Sequence, residues 1–260
     1  MSDLILSEDH GPIRHVVLNR PEKRNAFHAE LVLATGAALR AAADDPAVRC
    51  VVLRGAGPLF SSGMDVAALS GLAETPERVR GFRRACVEAW SVAEEMPKPI
   101  ICAIQGACIG GALELALACD FRVLAADAMV GLPEAAIGLI PDVGGCSRLP
   151  QVVGLGRAKE LIMTGRLIGA EEAERIGLAN RVAPPEELDA AVQRLADELL
   201  ACAPVAVALA KRVMDASARP ALAATLELEV VAQERCAATV DFAEGVRALR
   251  EKRRAEFSGR

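Results

Sequence analysis

Tyrosine is missing from the sequence altogether, and the other rings are few: one tryptophan (Trp90) and six phenylalanines in 260 residues. So few ring faces exclude a platform on which nucleic-acid bases stack. Histidine is scarce too, since His10, His15 and His28 all fall near the N-terminus. That gives little support to a Ser-His-Asp triad or a histidine-rich metal site, and no metal is expected. No Cys-x-x-Cys pair occurs among the eight cysteines, Cys50, Cys86, Cys102, Cys108, Cys119, Cys146, Cys202 and Cys236. Most sit among aliphatic residues and read as buried free thiols in a reducing compartment. The opening MSDLILSEDHG lacks a basic region followed by a long apolar one, so no signal peptide is visible. No uninterrupted apolar run reaches membrane-span length. The expected location is the cytoplasm, with no membrane partner. A net charge of −5 argues against a broad nucleic-acid face. It leaves room for a local basic patch that meets an anionic small molecule.

What is present is an aliphatic chain, 52% hydrophobic and 25% charged, enough for one large domain or a core with a small appendage. Leu4-Ser7 and Ile13-Asn19 read as a hairpin around Asp9-His10-Gly11-Pro12. The polar loop Arg20-Asn25 leads to a helix from Ala29 to Ala43, and Val48-Arg54 reads as a strand. A glycine-punctuated loop, Phe60-Ser61-Ser62-Gly63-Met64-Asp65, follows. Pro76 to Glu95 is an amphipathic helix that Pro97-Lys98-Pro99 stops. Ile100-Gln105 is a buried strand, Gly111-Cys119 a helix, and Phe121-Ala125 and Met129-Gly131 are short strands. Strands thus alternate with helices to about residue 150, a mixed α/β pattern. From Gly156 the periodicity is helical: Arg157-Thr164, Ala170-Ile176, Glu186-Cys202, Val205-Ala216, Leu222-Thr239 and Phe242-Arg254. Breakers fall at Gly165, Gly177, Pro184-Pro185, Pro204 and Pro220. The apolar faces of these helices exceed what one small lobe buries, which suggests packing on another subunit.

Two familiar patterns fail. Gly154-Leu155-Gly156 begins a dinucleotide fingerprint, but Lys159 stands at the third glycine. Ser61 and Ser62 lack the Gly-x-Ser-x-Gly elbow. His28 is expected in the first turn of a helix. Other features survive. Gly110-Gly111 follows a buried strand and opens a helix, so backbone N–H groups and the positive dipole end face whatever binds there. That suits a developing oxyanion; tight helix–strand packing explains the glycines equally well. Glu114, one turn inside, sits in an otherwise apolar or small run, which demands pairing, a cavity, or tuning for chemistry. Pairing with an arginine such as Arg122 is the plainer alternative. Glu134 and Asp142 are further acids on apolar segments, the second just before Gly144-Gly145. Glu134 also reads as a helix N-terminal acid after Pro133. Several acids in one place suggest acid–base work, with at least one pKa driven toward neutrality. The Met64 N–H is a candidate second oxyanion donor beside Gly111, against an ordinary surface turn.

These residues, with Asn19-Arg20-Pro21-Glu22-Lys23-Arg24-Asn25-Ala26, Gly106-Ala116, Pro141-Asp142-Val143-Gly144-Gly145, Thr164-Gly165-Arg166 and the tail Asp241-Gly245 and Glu251-Arg253, resemble the enoyl-CoA hydratase/isomerase (crotonase) superfamily over essentially the whole chain. The resemblance implies an α/β spiral of β-β-α units in residues 1–195. Residues 196–260 would be a C-terminal helical oligomerisation region of a homotrimer or of a hexamer built as a dimer of trimers. It implies an acyl-CoA thioester substrate, with coenzyme A belonging to the substrate and no separate cofactor. Met64 and Gly111 would supply the oxyanion hole. Lys23, Arg24, Ala26, Ser62, Asp65 and Val66 would meet CoA, and Lys252 would approach its phosphates from the same or a neighbouring subunit.

Family membership alone leaves the reaction open. The resemblance pairs Glu114 and Glu134 as the two glutamates of a hydratase, with Glu114 activating water and Glu134 protonating Cα. Asp142 departs from the plain hydratase pattern, which has glycine there. Carnitinyl-CoA dehydratase is similar at Leu132-Pro133-Glu134-Ala135 and Pro141-Asp142, and dienoyl-CoA isomerases and some ring-modifying isomerases also carry an aspartate there but change one or both glutamates. Asp142 is thus a candidate substrate contact, proton shuttle, or helix cap. An isomerase using Glu134 or Asp142 as base is the second reading. A CoA- or RNA-binding protein without turnover is the third; its best support, Arg78, Arg80, Arg83 and Arg84, reads instead as a solvated helix face. The pocket floor is expected near residues 66–85 and 128–145.

Overall fold

The computed structural model describes residues 4–72, 76–218 and 221–258. Pro220, expected as a helix breaker, and residues 73–75 of the expected pocket floor lie outside the described residues. The chain opens with the hairpin, β1 (Ile5–His10) antiparallel to β2 (Ile13–Leu18). A 3-10 turn at Pro21–Lys23 precedes α1 (Ala29–Asp44), with His28 as its N-cap. β3 (Cys50–Gly55), α2 (Val66–Leu72) and α3 (Pro76–Glu95) follow. Then β4 (Ile100–Ile104), β5 (Ala107–Ile109) and α4 (Gly111–Ala118) form one β-β-α unit. β6 (Phe121–Ala125), β7 (Met129–Gly131) and α5 (Gly145–Val153) form the next. After α6 (Leu155–Thr164), β8 (Ile168–Gly169), α7 (Ala170–Arg175) and β9 (Arg181–Ala183) the chain becomes helical. The helices are α8 (Leu188–Leu200), α9 (Pro204–Ala218), α10 (Leu222–Ala237) and α11 (Val240–Glu251).

A six-stranded sheet runs in the order β1-β2-β3-β4-β6-β9, parallel everywhere beyond the hairpin. The second strands of the two units, β5 and β7, leave it and join β8 in a three-stranded sheet. β4 is buried throughout, as its unbroken apolar run requires of a parallel strand covered on both faces. This is the α/β arrangement of β-β-α units with a C-terminal helical region that the resemblance implies. α8 packs on β3, β4, β6 and β9, and the boundary expected at 195/196 falls within it.

One reading needs correction, and two short strands and the extent of α5 went unread. Between the helices expected after Gly156 stand β8 and β9; strands of two and three residues are too short to show alternation. α5 begins at Gly145 and contains Pro150, two residues that read locally as breakers. The arginine cluster is not uniformly a solvated face. Arg78, Arg80 and Arg84 are exposed, but Arg83 is buried. It lies in the inward stripe Val79, Arg83, Cys86, Trp90 and Ala93 of α3, whose spacing follows the helical repeat.

All eight cysteines are free, five of them buried. Among the described residues no helix is long and apolar enough to cross a membrane. α10 packs on α3, α5 and α11, and α11 packs on α2 and on the turn after β7. α9 leaves Val205, Leu209, Val213 and Met214 exposed.

Candidate active site

β5 ends where α4 begins, and the junction is a close approach of backbone to carboxyl. Gly110 has φ +59°, and a Cβ there would lie 2.8 Å from Glu134 Oε1. Glycine alone meets both demands without strain. All of α4 is buried, and Trp90 Nε1 donates to Gly111 O at 3.2 Å, fixing its first turn. Phe27 packs on the Trp90 ring, centroids 5.3 Å apart. The Gly111 N–H, at the first position of α4, has no intrahelical acceptor.

The second wall is the loop before α2. Phe27 N–H donates to Gly63 O and Asp65 N–H donates to Phe27 O, both at 2.8 Å. In such a parallel bridge the bonds belong to Phe27, so the Met64 N–H points away from it. Met64 also covers Gly111: a Cβ on that glycine would lie 2.5 Å from Met64 Cε. Asn25 knots the loops together. Its Nδ2 donates to Ala56 O, Leu59 O and Phe60 O, and its Oδ1 accepts from Arg20 N–H at 2.9 Å. Arg24 and Asn25 hold positive φ values of 55° and 51° in doing so. Arg20 Nη1 donates to Ala26 O and Asp65 Oδ2, and the guanidinium holds the Asp65 carboxyl below its usual pKa.

Between these loops, α3, residues 133–143, α10 and α11 lies a cavity of about 740 Å³. Glu114, Glu134 and Asp142 line it, with Glu22 and Asp65 on the loop side. Glu114 is 2% exposed. Its Oε1 accepts from Val143 N–H at 2.9 Å and Gly145 N–H at 2.8 Å. Burial drives its pKa well up, with the charges of Glu134, Asp142 and Glu229 adding and the Gly145 N–H opposing. Glu134 opens the 3-10 turn Glu134–Ile137, and its Oε2 is buried without a hydrogen-bond partner. Burial pushes it up to about 8, and Asp142 adds to the rise. Asp142 is pushed up to about 7 by burial, against the pull of Arg83. Like charges sharing one cavity titrate as a set, and Glu134 and Asp142 are the two driven toward the protonated form near neutrality.

Arg122 does not pair with Glu114. Its guanidinium donates to Leu178 O, Ala116 O and Cys119 O. Nor does Asp142 cap α5, whose N-cap is Gly144 with no side-chain bond.

The enoyl-CoA hydratase/isomerase family model matches residues 8–260. The chain belongs to the enoyl-CoA hydratase/isomerase (crotonase) superfamily. Crotonyl-CoA hydratase of Syntrophomonas wolfei subsp. wolfei is similar at 37% identity over 254 residues, 97% of each chain. Carnitinyl-CoA dehydratase of Salmonella arizonae is 40% identical over 215 residues, 82% of this chain and 80% of that one. The crystal structure of an enoyl-CoA hydratase from Mycobacterium avium subsp. paratuberculosis K-10 matches with TM-score 0.87 at 28% identity, covering 98% of both chains.

Nearly every residue singled out from the sequence reaches this crotonase cavity: Lys23, Arg24, Ala26, Ser62, Met64, Asp65, Val66, Gly111, Glu114, Glu134 and Asp142 all line it. Lys252 does not; it is exposed at the C-cap of α11, while Leu249, Arg253 and Ala255 line the cavity. Sequence reasoning missed Gln233 and Glu229. Leu226, Glu229, Val230 and Gln233 form one buried face of α10. Polar residues at helical spacing within an apolar stripe carry the same signal that drew attention to Glu114.

Proposed function

We propose that this chain is an enoyl-CoA hydratase, adding water across the 2,3 double bond of an acyl-CoA thioester or running the reverse dehydration. The observation that carries the reading is that two buried carboxyls, Glu114 and Glu134, enter one cavity beside the Gly110-Gly111 helix start. Val143 and Gly145 N–H groups occupy Glu114 Oε1, which leaves Oε2 to accept a proton from water as its oxygen bonds Cβ. The π electrons move to the thioester oxygen, which Met64 and Gly111 N–H groups stabilise. Glu134, protonated at neutral pH, delivers its proton to Cα as the enolate collapses. The proton on Glu114 then returns to Glu134 through the shared cavity, and the sum is one water added. Each oxyanion donor contributes roughly 10²–10³-fold, and acid–base help about 10²–10⁴-fold.

Lys23 and Arg24, exposed at the cavity mouth, are assigned to the CoA phosphates, with Ala26, Ser62, Asp65 and Val66 shaping the entrance. Lys252 completes that binding from the same or a neighbouring subunit. The exposed Val205, Leu209 and Val213 on α9, spaced one turn apart, support assembly into a trimer or a dimer of trimers. Cytoplasmic location, without membrane or nucleic-acid partners, belongs to the same reading. The test is crotonyl-CoA in oxygen-labelled water. Loss of the conjugated thioester absorbance with label in a 3-hydroxyacyl-CoA supports hydration. Unchanged absorbance with bound ligand refutes it for this substrate. Asp142 on the cavity wall, together with the similarity to a carnitinyl-CoA dehydratase, favours a second reading: dehydration of a polar acyl group, or double-bond isomerisation with Glu134 or Asp142 as base. Isomerisation would move the double bond with no label taken up.

A further inference from the structure

Glu229, on α10, is a further carboxyl beside the site, 3% exposed and outside the cavity wall. Its Oε2 accepts the Gly144 N–H at 3.0 Å, and its Oε1 is buried without a hydrogen-bond partner. Burying an acid this way is costly unless its bonds matter; besides the pull of the Ser147 hydroxyl and N–H on its carboxyl, it has the bond from the Gly144 N–H. That bond completes an alternation. Three successive N–H groups, of Val143, Gly144 and Gly145, go to Glu114, Glu229 and Glu114 in turn. Gly144, at φ +114°, makes the reversal that sends its own N–H to the opposite side. The same turn is gripped by its other backbone groups. Gln233 Oε1, one turn along α10, accepts Ile140 N–H at 3.1 Å. Arg83 Nε donates to Asp142 O at 2.9 Å, and Arg148 Nη1 donates to Val143 O at 2.7 Å.

We propose that Glu229 is a positioning residue for the hydration: by holding the Gly144 N–H toward α10 it aims the Val143 and Gly145 N–H groups at Glu114 Oε1 and leaves Glu114 Oε2 for the reacting water. The proposal rests on the hydratase reading of Glu114. Glu229 touches no reacting atom. An amide of equal reach accepts the same N–H bond, so glutamine preserves the turn where alanine releases it.

The experiment compares wild type, Glu229→Ala and Glu229→Gln with crotonyl-CoA. Misplacing a catalytic group by about 1 Å costs on the order of 100-fold. Glu229→Ala should therefore lower kcat roughly 10- to 100-fold with KM within about threefold, and Glu229→Gln should recover kcat to within about threefold. An alanine variant with wild-type kcat, a loss confined to KM, or a glutamine variant as damaged as alanine would each overturn the assignment. Amide hydrogen exchange of peptides covering residues 140–148, measured without substrate, should quicken in Glu229→Ala and not in Glu229→Gln. Unchanged exchange in the alanine variant also overturns it. This second measurement separates the two ideas, since wild type that fails to hydrate crotonyl-CoA sinks the hydratase reading while exchange still decides what Glu229 holds. If Glu229→Ala does not fold, Glu229→Asp, one methylene too short, takes its place with the same expectations.

Discussion

A single methyl group at Gly144 should disable the protein through a neighbour that never meets substrate. Gly144 sits at φ +114°, and a Cβ there would overlap Arg148 Nη1 and lie 2.5 Å from Arg148 Cζ. The guanidinium has nowhere to retreat, being 1% exposed and bonded to both Glu94 oxygens, at 2.8 and 2.7 Å. Gly144→Ala therefore adds backbone strain of about 1–3 kcal/mol. It also separates a buried ion pair, a change that costs about 3–5 kcal/mol when one charge is stranded. A combined loss of about 4–6 kcal/mol follows, allowing for partial relaxation, against the ~5–15 kcal/mol that holds a typical domain together. Urea unfolding of the purified variant measures it. The turn that feeds two N–H groups to Glu114 moves with Arg148, so kcat in the remaining folded protein should fall as well. A variant within about 1 kcal/mol of wild type and fully active would refute the argument, because it would mean that Arg148 relocates freely.

Glu114→Gln and Glu134→Gln should each lower kcat for crotonyl-CoA by about 10²-fold or more while KM changes little, which steady-state kinetics would show. The kcat/KM profile should fall above about pH 8 as Glu134 loses its proton. Asp142→Asn removes a charge that raises the pKa of Glu134, so this alkaline limb should move to lower pH; a limb that stays in place refutes the coupling. Stability has its own pH dependence. Glu134 rises from 4.5 to about 8 on folding and Asp142 from 3.8 to about 7, so the folded chain keeps protons that the unfolded chain releases. Their contribution is fully present below about pH 4 and is lost as pH climbs to about 8. Wild type should thus lose more stability than Glu134→Gln between about pH 6 and pH 8.5 in urea unfolding.

Much of this was legible because the telling residues violate their surroundings. Glu114 in an all-apolar helix start, and the glycine pair before it, pointed to a cavity without any structure. The parallel strands β3 and β4 announced themselves as continuous apolar runs, and the long helices by their period. What stayed hidden depends on contacts distant in sequence. β8 has two residues and exists only because β7 offers it an edge. α5 starts on a glycine and carries Pro150, so local propensity argues against it and packing on α4 decides. Arg83 sits beside the exposed Arg84 in an arginine-rich helix, and only phase around the helix axis separates the buried side chain from its neighbours. Glu229 and Gln233 reach the turn at 140–144 from about 90 residues away, a distance over which no local pattern reports.

The seat of α11 on the turn after β7 makes the helical region part of the wall around the acids. Gly245 lies against Ile137, and a Cβ on Gly138 would lie 3.0 Å from Phe242 N, so α11 covers the Glu134 turn. Burial is what raises Glu134 and Asp142, so parting α11 from that turn would let water in and return Glu134 toward an ordinary surface acid. A packing contact between two elements distant in sequence thus doubles as a control on proton affinity.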